Sequence, residues 1–222
     1  MKKLIIVGDS AFGEIAYEYF KYDSEYEPVS FAVEKEFLSK KSLFNLPVVP
    51  IEDLENMFNP EEHEVFVAIT YTQMNTLRER LFLTLKAKGY KLASYVSSKA
   101  FVWRNVKIGE NCFIFEDNTI QPFVEIEDNC ILWSGNHIGH HGKVKKNCFI
   151  SSHVCISGFC EVGENTFIGV NSTVSNNVII GAYNWIGPDV TIMKNTNKDE
   201  FWGPARMNPK DKTATEFFKL NI

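Results

Sequence analysis

Three of the chain's five histidines fall in one short run, Asn136-His137-Ile138-Gly139-His140-His141-Gly142, with only His63 and His153 elsewhere. Imidazole titrates near neutrality, so a histidine facing a reactant can take a proton from an attacking amine or hydroxyl and return it to a leaving group. The adjacent His140 and His141 offer one base with a second ring beside it. A zinc centre needs three well-spaced ligands, and this cluster is too compressed for one chain to supply them. The five cysteines, Cys112, Cys130, Cys148, Cys155 and Cys160, are odd in number and form no CxxC pair. That pattern suits reduced thiols in a cytoplasmic protein better than a disulfide framework.

A second group stands near the N-terminus. The apolar run Leu4–Val7 is followed by Gly8-Asp9-Ser10-Ala11-Phe12-Gly13. Against the GxGxxG dinucleotide fingerprint, the first and third glycines are present and Ser10 replaces the second. A loop between a strand and a helix N-terminus still offers N–H groups to a phosphate. Gly8, Ser10, Ala11, Phe12, Gly13 and, after the next apolar run, Glu34 are the candidate substrate-binding residues. A redox reading is poor, because the α/β pattern stops near residue 92 and leaves no second half for a dinucleotide.

Two kinds of element must position these groups. Residues 1–92 read as a small Rossmann-like α/β domain with a parallel sheet. Its expected strands are 4–7, 29–33 and 65–70, and its expected helices 11–21, 51–58 and 73–88. From residue 93 to 222 the pattern changes, ending in a loop and a short helix. Every sixth residue from Val96 to Ile192 is Val, Ile or Leu, without slip or insertion. Neither a helix nor a flat strand has that period; hexapeptide repeats wind parallel β-helices. Four residues after each aliphatic stands a small uncharged residue, among them Cys112, Cys130, Cys148, Val154 and Cys160. Both columns point inward. Three hexapeptides close one triangular coil, so residue n lies beneath residue n+18 at roughly 4.8 Å. This places Gly158 beside His140, where its N–H can face a ligand or serve a turn. It also buries the Cys112, Cys130 and Cys148 column and leaves only Cys155 outside the small inward column.

The repeat has the form [LIV]-G-x-x-[STAV]-x in Ile108-Gly109, Val162-Gly163, Ile168-Gly169, Ile180-Gly181 and Ile186-Gly187. With the opening Ile5-Ile6-Val7-Gly8, it resembles the hexapeptide-repeat sugar acyltransferases related to sialic acid O-acetyltransferase and the nucleotide-aminosugar N-acetyltransferases. The resemblance implies a left-handed β-helix, acetyl-CoA as co-substrate, no metal, a sugar or sugar-nucleotide acceptor, and a homotrimer with sites between subunits. It implies direct transfer, with His140 at the base position four residues before the inward Val144. His141 stands where Asp or Asn is usual, as a second catalytic group or the base itself, and Lys145 replaces a glycine. Gly158 is the implied oxyanion donor. The implied contacts to CoA are Lys143, Gly169, Gly187, Lys194 and Arg206. Gly203-Pro204-Ala205-Arg206 resembles a Gly-Asn-Pro-Ala-basic loop that has lost its Asn. Alternatives are a sugar-nucleotide-binding module without activity and a zinc carbonic anhydrase on the same winding.

The 222 residues carry a net charge of −5 and are 45% hydrophobic. That balance disfavours nucleic acid as a partner. The absence of an 18-residue apolar run disfavours a membrane span. The apolar stretch after Met1-Lys2-Lys3 is too short for a signal peptide.

Overall fold

The computed structural model describes residues 1–205, 211 and 213–219. The N-terminal part contains β1 (Lys2–Val7), α1 (Ala11–Tyr22), β2 (Tyr26–Val33), β3 (Ser42–Leu43), β4 (Leu46–Pro50), α2 (Leu54–Met57), β5 (His63–Val67), α3 (Thr76–Ala87) and β6 (Lys91–Leu92). The sheet runs β3-β4-β2-β1-β5-β6, parallel except for the β3–β4 hairpin. Leu4–Val7 is apolar on both faces because helices cover both. Phe12, Ala16 and Phe20 of α1 pack on one side, and Leu81, Phe82 and Leu85 of α3 on the other. The hairpin and β6 were not expected from sequence. The expected third strand ends three residues early, at Val67. α3 begins at Thr76, not at residue 73, because Gln73, Met74 and Asn75 all have left-handed φ of 52–66°, which a right-handed helix cannot include.

From Tyr95 onward two-residue strands wind a left-handed parallel β-helix. Its first face stacks seven strands from Tyr95–Val96 to Phe201–Trp202. The second stacks six, from Phe101–Val102 to Thr191–Ile192, and the third five, from Lys107–Ile108 to Ile179–Ile180. Residues pair with those 18 positions on, as in Phe113↔Ile131 and His137↔Cys155. The aliphatic column fills the prism; from Ile114 to Ile192 each member is at most 2% exposed. Burying such a side chain contributes roughly 1.5–3 kcal/mol. From Ile108 to Ile186 the third residue after each aliphatic takes a left-handed conformation, as at Asn111, Asp117, Phe123, Gly135 and His141, and turns the chain to the next face. The last coil is shorter, pairing Trp185 with Phe201, and Trp202 packs against the end of the interior. None of the described helices is long and apolar enough to cross a membrane.

The sheet does not stand apart from the prism. One hydrophobic cluster joins Leu4, Phe12, Phe20 and Phe66 to Tyr95, Phe113, Phe115 and Phe149 of the first face. The corner between third and first faces carries Asn111, Asn129, Asn147 and Asn165, each side-chain amide donating to the next at 2.7, 2.8 and 3.2 Å. Asn111 Oδ1 accepts the Val67 N–H at 2.8 Å, and Asn165 donates to Glu79 at 3.2 Å. Beside this ladder the fully buried Arg78 donates to the carbonyls of Val67, Ile69 (3.1 Å) and Asn111 (2.6 Å). Burial pulls its guanidinium down to about 9, so it stays charged at neutral pH and depends on those carbonyls.

Candidate active site

His140, His141 and Gly142 occupy the corner between the second and third faces, as do Phe123 one coil below and Phe159 one coil above. The His140 N–H donates to Gln121 Oε1 at 2.9 Å. Its ring lies over Gly158; a Cβ there would stand 2.9 Å from His140 Nε2. The Gly158 N–H has no acceptor among the described residues, and Gly158 itself is buried beneath the ring. A Cβ on Gly139 would come within 2.5 Å of the Gly158 nitrogen, so glycine at 139 allows the close approach. The Nδ1 atoms of His140 and His141 are 3.1 Å apart. Both histidines are exposed, and so are the flanking Phe123 and Phe159. Sequence reasoning missed these phenylalanines and Gln121; the 18-residue spacing of 123, 141 and 159 was the available signal.

The other histidines lie apart from this corner. His63 is buried beside the Asn59 carbonyl, and His153 sits over Gly135 at a different corner. His137 pairs in register with Cys155 on the second face. Cys112, Cys130 and Cys148 are free and buried. Burial raises the Cys112 and Cys130 thiols well above their ordinary range, and each of the three Sγ atoms lies 3.1–3.2 Å from a backbone carbonyl of the next coil. Among the described residues no group of three or more His, Cys, Asp or Glu is placed to hold a metal ion.

A concavity of about 300 Å³ opens at the C-terminal ends of β1 and β2. It is lined by Gly8, Asp9, Ser10 and Glu34 with Phe37, Ile69, Leu77 and Leu81 at its apolar wall. Gly8 takes φ +121° and has no space for a side chain against the Ala68 carbonyl. Glu34 receives two hydrogen bonds from Arg80, at 2.7 and 2.9 Å, and these hold its carboxyl below the usual range. Three expected residues do not line this cleft. Ala11 starts α1 facing solvent, Phe12 is buried against Phe66 and Phe113, and Gly13 packs on the Gly8 backbone.

The expected CoA contacts are spread over the prism. Lys143 is exposed on the third face, in register between Glu125 and Glu161 and two residues beyond His141. Gly169 and Gly187 lie on the first face, in close contact with each other and with Trp185 and Pro204. Lys194 is exposed at the end of the second face. Arg206 lies outside the described residues. Lys145, in the place of a glycine, pairs with Glu127 at 3.0 Å, and Lys146 pairs with Glu164 at 3.4 Å.

The three faces differ in character. The first is covered by the N-terminal sheet and α1 over its lower coils. The third carries Lys107, Glu125, Lys143 and Glu161 in a vertical charge ladder. The outward positions of the second are Phe101, Thr119, His137, Cys155, Thr173 and Thr191, without a charge. Within one chain the histidine corner is opposite the face on which the N-terminal sheet sits.

The hexapeptide winding has counterparts among known proteins. The profile described as bacterial transferase hexapeptide (six repeats) matches residues 105–140. No curated protein matches the sequence. Among solved structures, the acetyltransferase domain of PglB from Neisseria gonorrhoeae FA1090 superposes with a TM-score of 0.82 at 20% identity, covering 92% of this chain and 97% of that one. PerB from Caulobacter crescentus, in complex with CoA and GDP-perosamine, gives 0.82 at 20% identity over 92% and 95%. A histidine-to-asparagine mutant of perosamine N-acetyltransferase from that organism, with the same two ligands, gives 0.82 at 20% over 95% and 98%. The chain carries the hexapeptide repeat and shares the fold of these acetyltransferases.

Proposed function

We propose that the protein is an acetyl-CoA-dependent acetyltransferase acting on an amino or hydroxyl group of a nucleotide-linked sugar in surface-glycan biosynthesis. The observation that carries this reading is the exposed His140 ring with Nε2 over Gly158, on a fold whose solved examples hold CoA and GDP-perosamine. His140 Nε2 takes the proton of the acceptor as it attacks the thioester carbonyl. The Gly158 N–H, which has no other acceptor among the described residues, supports the oxygen that becomes negative. The protonated imidazole then returns its proton to the departing CoA thiolate. Lys143 stands nearest to the histidines of the expected CoA contacts. The cleft at Gly8, Ser10 and Glu34 suits the nucleotide end of the acceptor.

The uncharged second face supports a homotrimer in which faces meet without burying unpaired charge. Because cleft and histidines lie on opposite sides of one chain, a neighbour's cleft would present the sugar to this chain's corner. Five free thiols suit the reducing cytoplasm.

The test is thiol release from acetyl-CoA with a panel of nucleotide-linked 4-amino sugars. Release should require both substrates; a protein that binds no acetyl-CoA by calorimetry refutes the assignment. Gly158→Ala gives a second check. Its methyl group would contact the imidazole at 2.9 Å and displace the base, and a shift of ~1 Å costs about 10²-fold in rate. Unchanged kcat in that variant would remove Gly158 from the site.

A further inference from the structure

Phe123 and Phe159 are more than half exposed, at 56% and 53%, and both hold left-handed backbone, φ 65° and 58°. A bulky residue is strained there, and the equivalent turn at the neighbouring corner uses Asn111, Asn129, Asn147 and Asn165. These two rings sandwich a third. His141 stacks on Phe123 at 4.6 Å and 26°, and on Phe159 at 4.8 Å and 17°. Phe159 also meets His140 at 4.9 Å and 90°. The stack holds the plane of His141 and leaves its edge free to meet His140, where the two Nδ1 atoms are 3.1 Å apart. No carboxylate is hydrogen-bonded to His140 among the described residues.

We propose that Phe123, His141 and Phe159 are positioning residues: the stacked His141 accepts the His140 Nδ1–H and so fixes the tautomer that leaves His140 Nε2 bare over Gly158. This rests on the reading of His140 as base, since Nε2 is the atom over the glycine. An imidazole has one donor and one acceptor nitrogen when neutral, and the partner of one sets the role of the other. Here a neutral ring fills the role a carboxylate fills in a Ser-His-Asp triad. His141 itself touches no reacting atom.

The experiment is nitrogen NMR of the full-length protein with labelled histidine, above the imidazole titration range and without substrate. His140 should carry its proton on Nδ1. In His141→Phe the column persists, since phenylalanine already occupies this turn one coil below and one above, but the acceptor is gone. The His140 proton should then move to Nε2, and kcat should fall by about 10- to 100-fold with the KM for acetyl-CoA unchanged. His141→Asn, whose side chain suits a left-handed turn and offers an acceptor oxygen, should restore the Nδ1 proton. Phe123→Ala should give a mixture of tautomers. A proton on Nε2 in the unmodified protein, or an unmoved proton in His141→Phe, overturns the proposal. The tautomer is read without any acetyl donor or sugar, so failure of the acetyltransferase reading is a separate result, seen in the thiol-release assay.

Discussion

His140→Ala should lower kcat by about 10²- to 10⁴-fold, the usual contribution of a positioned general base, while acetyl-CoA binding is kept. The ring is exposed and rests only on the surface of the corner, over Gly158 and beside His141 and Phe159. Its backbone N–H, the group bonded to Gln121 at 2.9 Å, survives the substitution. The variant should therefore fold and melt as the parent does. Steady-state thiol release gives the rate, and calorimetry with acetyl-CoA separates lost chemistry from lost binding. Turnover within a few-fold of the parent would take His140 out of the mechanism. Equal losses in the His140→Ala and His141→Ala single variants and in the double variant would show that the pair acts as one unit.

The other large effect is on stability. Arg78→Leu should destabilise the fold by about 3 kcal/mol, because the carbonyls of Val67 and Asn111 lose a charged donor in buried bonds and that of Ile69 in a partly buried one. Part of the cost is offset, since no guanidinium then has to be desolvated. For a chain of this size the melting temperature should fall by roughly 6–12 °C. Arg78 joins the end of β5, the loop after it and the asparagine corner, so the sheet should loosen from the prism first. Hydrogen exchange at Val67 and Asn111 would show this. A melting temperature unchanged by the substitution would mean that water or relaxed backbone takes over those carbonyls.

The prism was readable because its grammar is one-dimensional. Ile114, Ile120 and Ile126 fall six apart, and the adjacency of His140 and Gly158 follows by counting one coil. The same counting reaches Phe123 and Phe159 from His141, but nothing in phenylalanine's chemistry marks it as part of a proton-transfer site until the stacking is seen. The N-terminal part was less legible. The Ser42–Pro50 hairpin is short and carries Pro47 and a turn with left-handed Phe44 and Asn45, so no alternating pattern announces it. The cleft gathers Gly8, Glu34, Ile69 and Leu81 from four separate stretches, a convergence that only tertiary packing defines. Arg78 looks like a solvated helix residue, since arginine is rarely buried. Only the asparagines 18 apart hinted that something polar would dock there.

The register of the winding also constrains how such a chain can vary in length. Loss of a single residue between Phe123 and His140 would put every later side chain out of phase. Interior isoleucines would turn to solvent, and the imidazoles would leave their corner. Loss of a whole lap would only shorten the prism by about 4.8 Å. Insertions and deletions within the wound region should therefore come in complete laps. Short ones belong at the ends, and the contracted final lap between Trp185 and Phe201 lies at such an end.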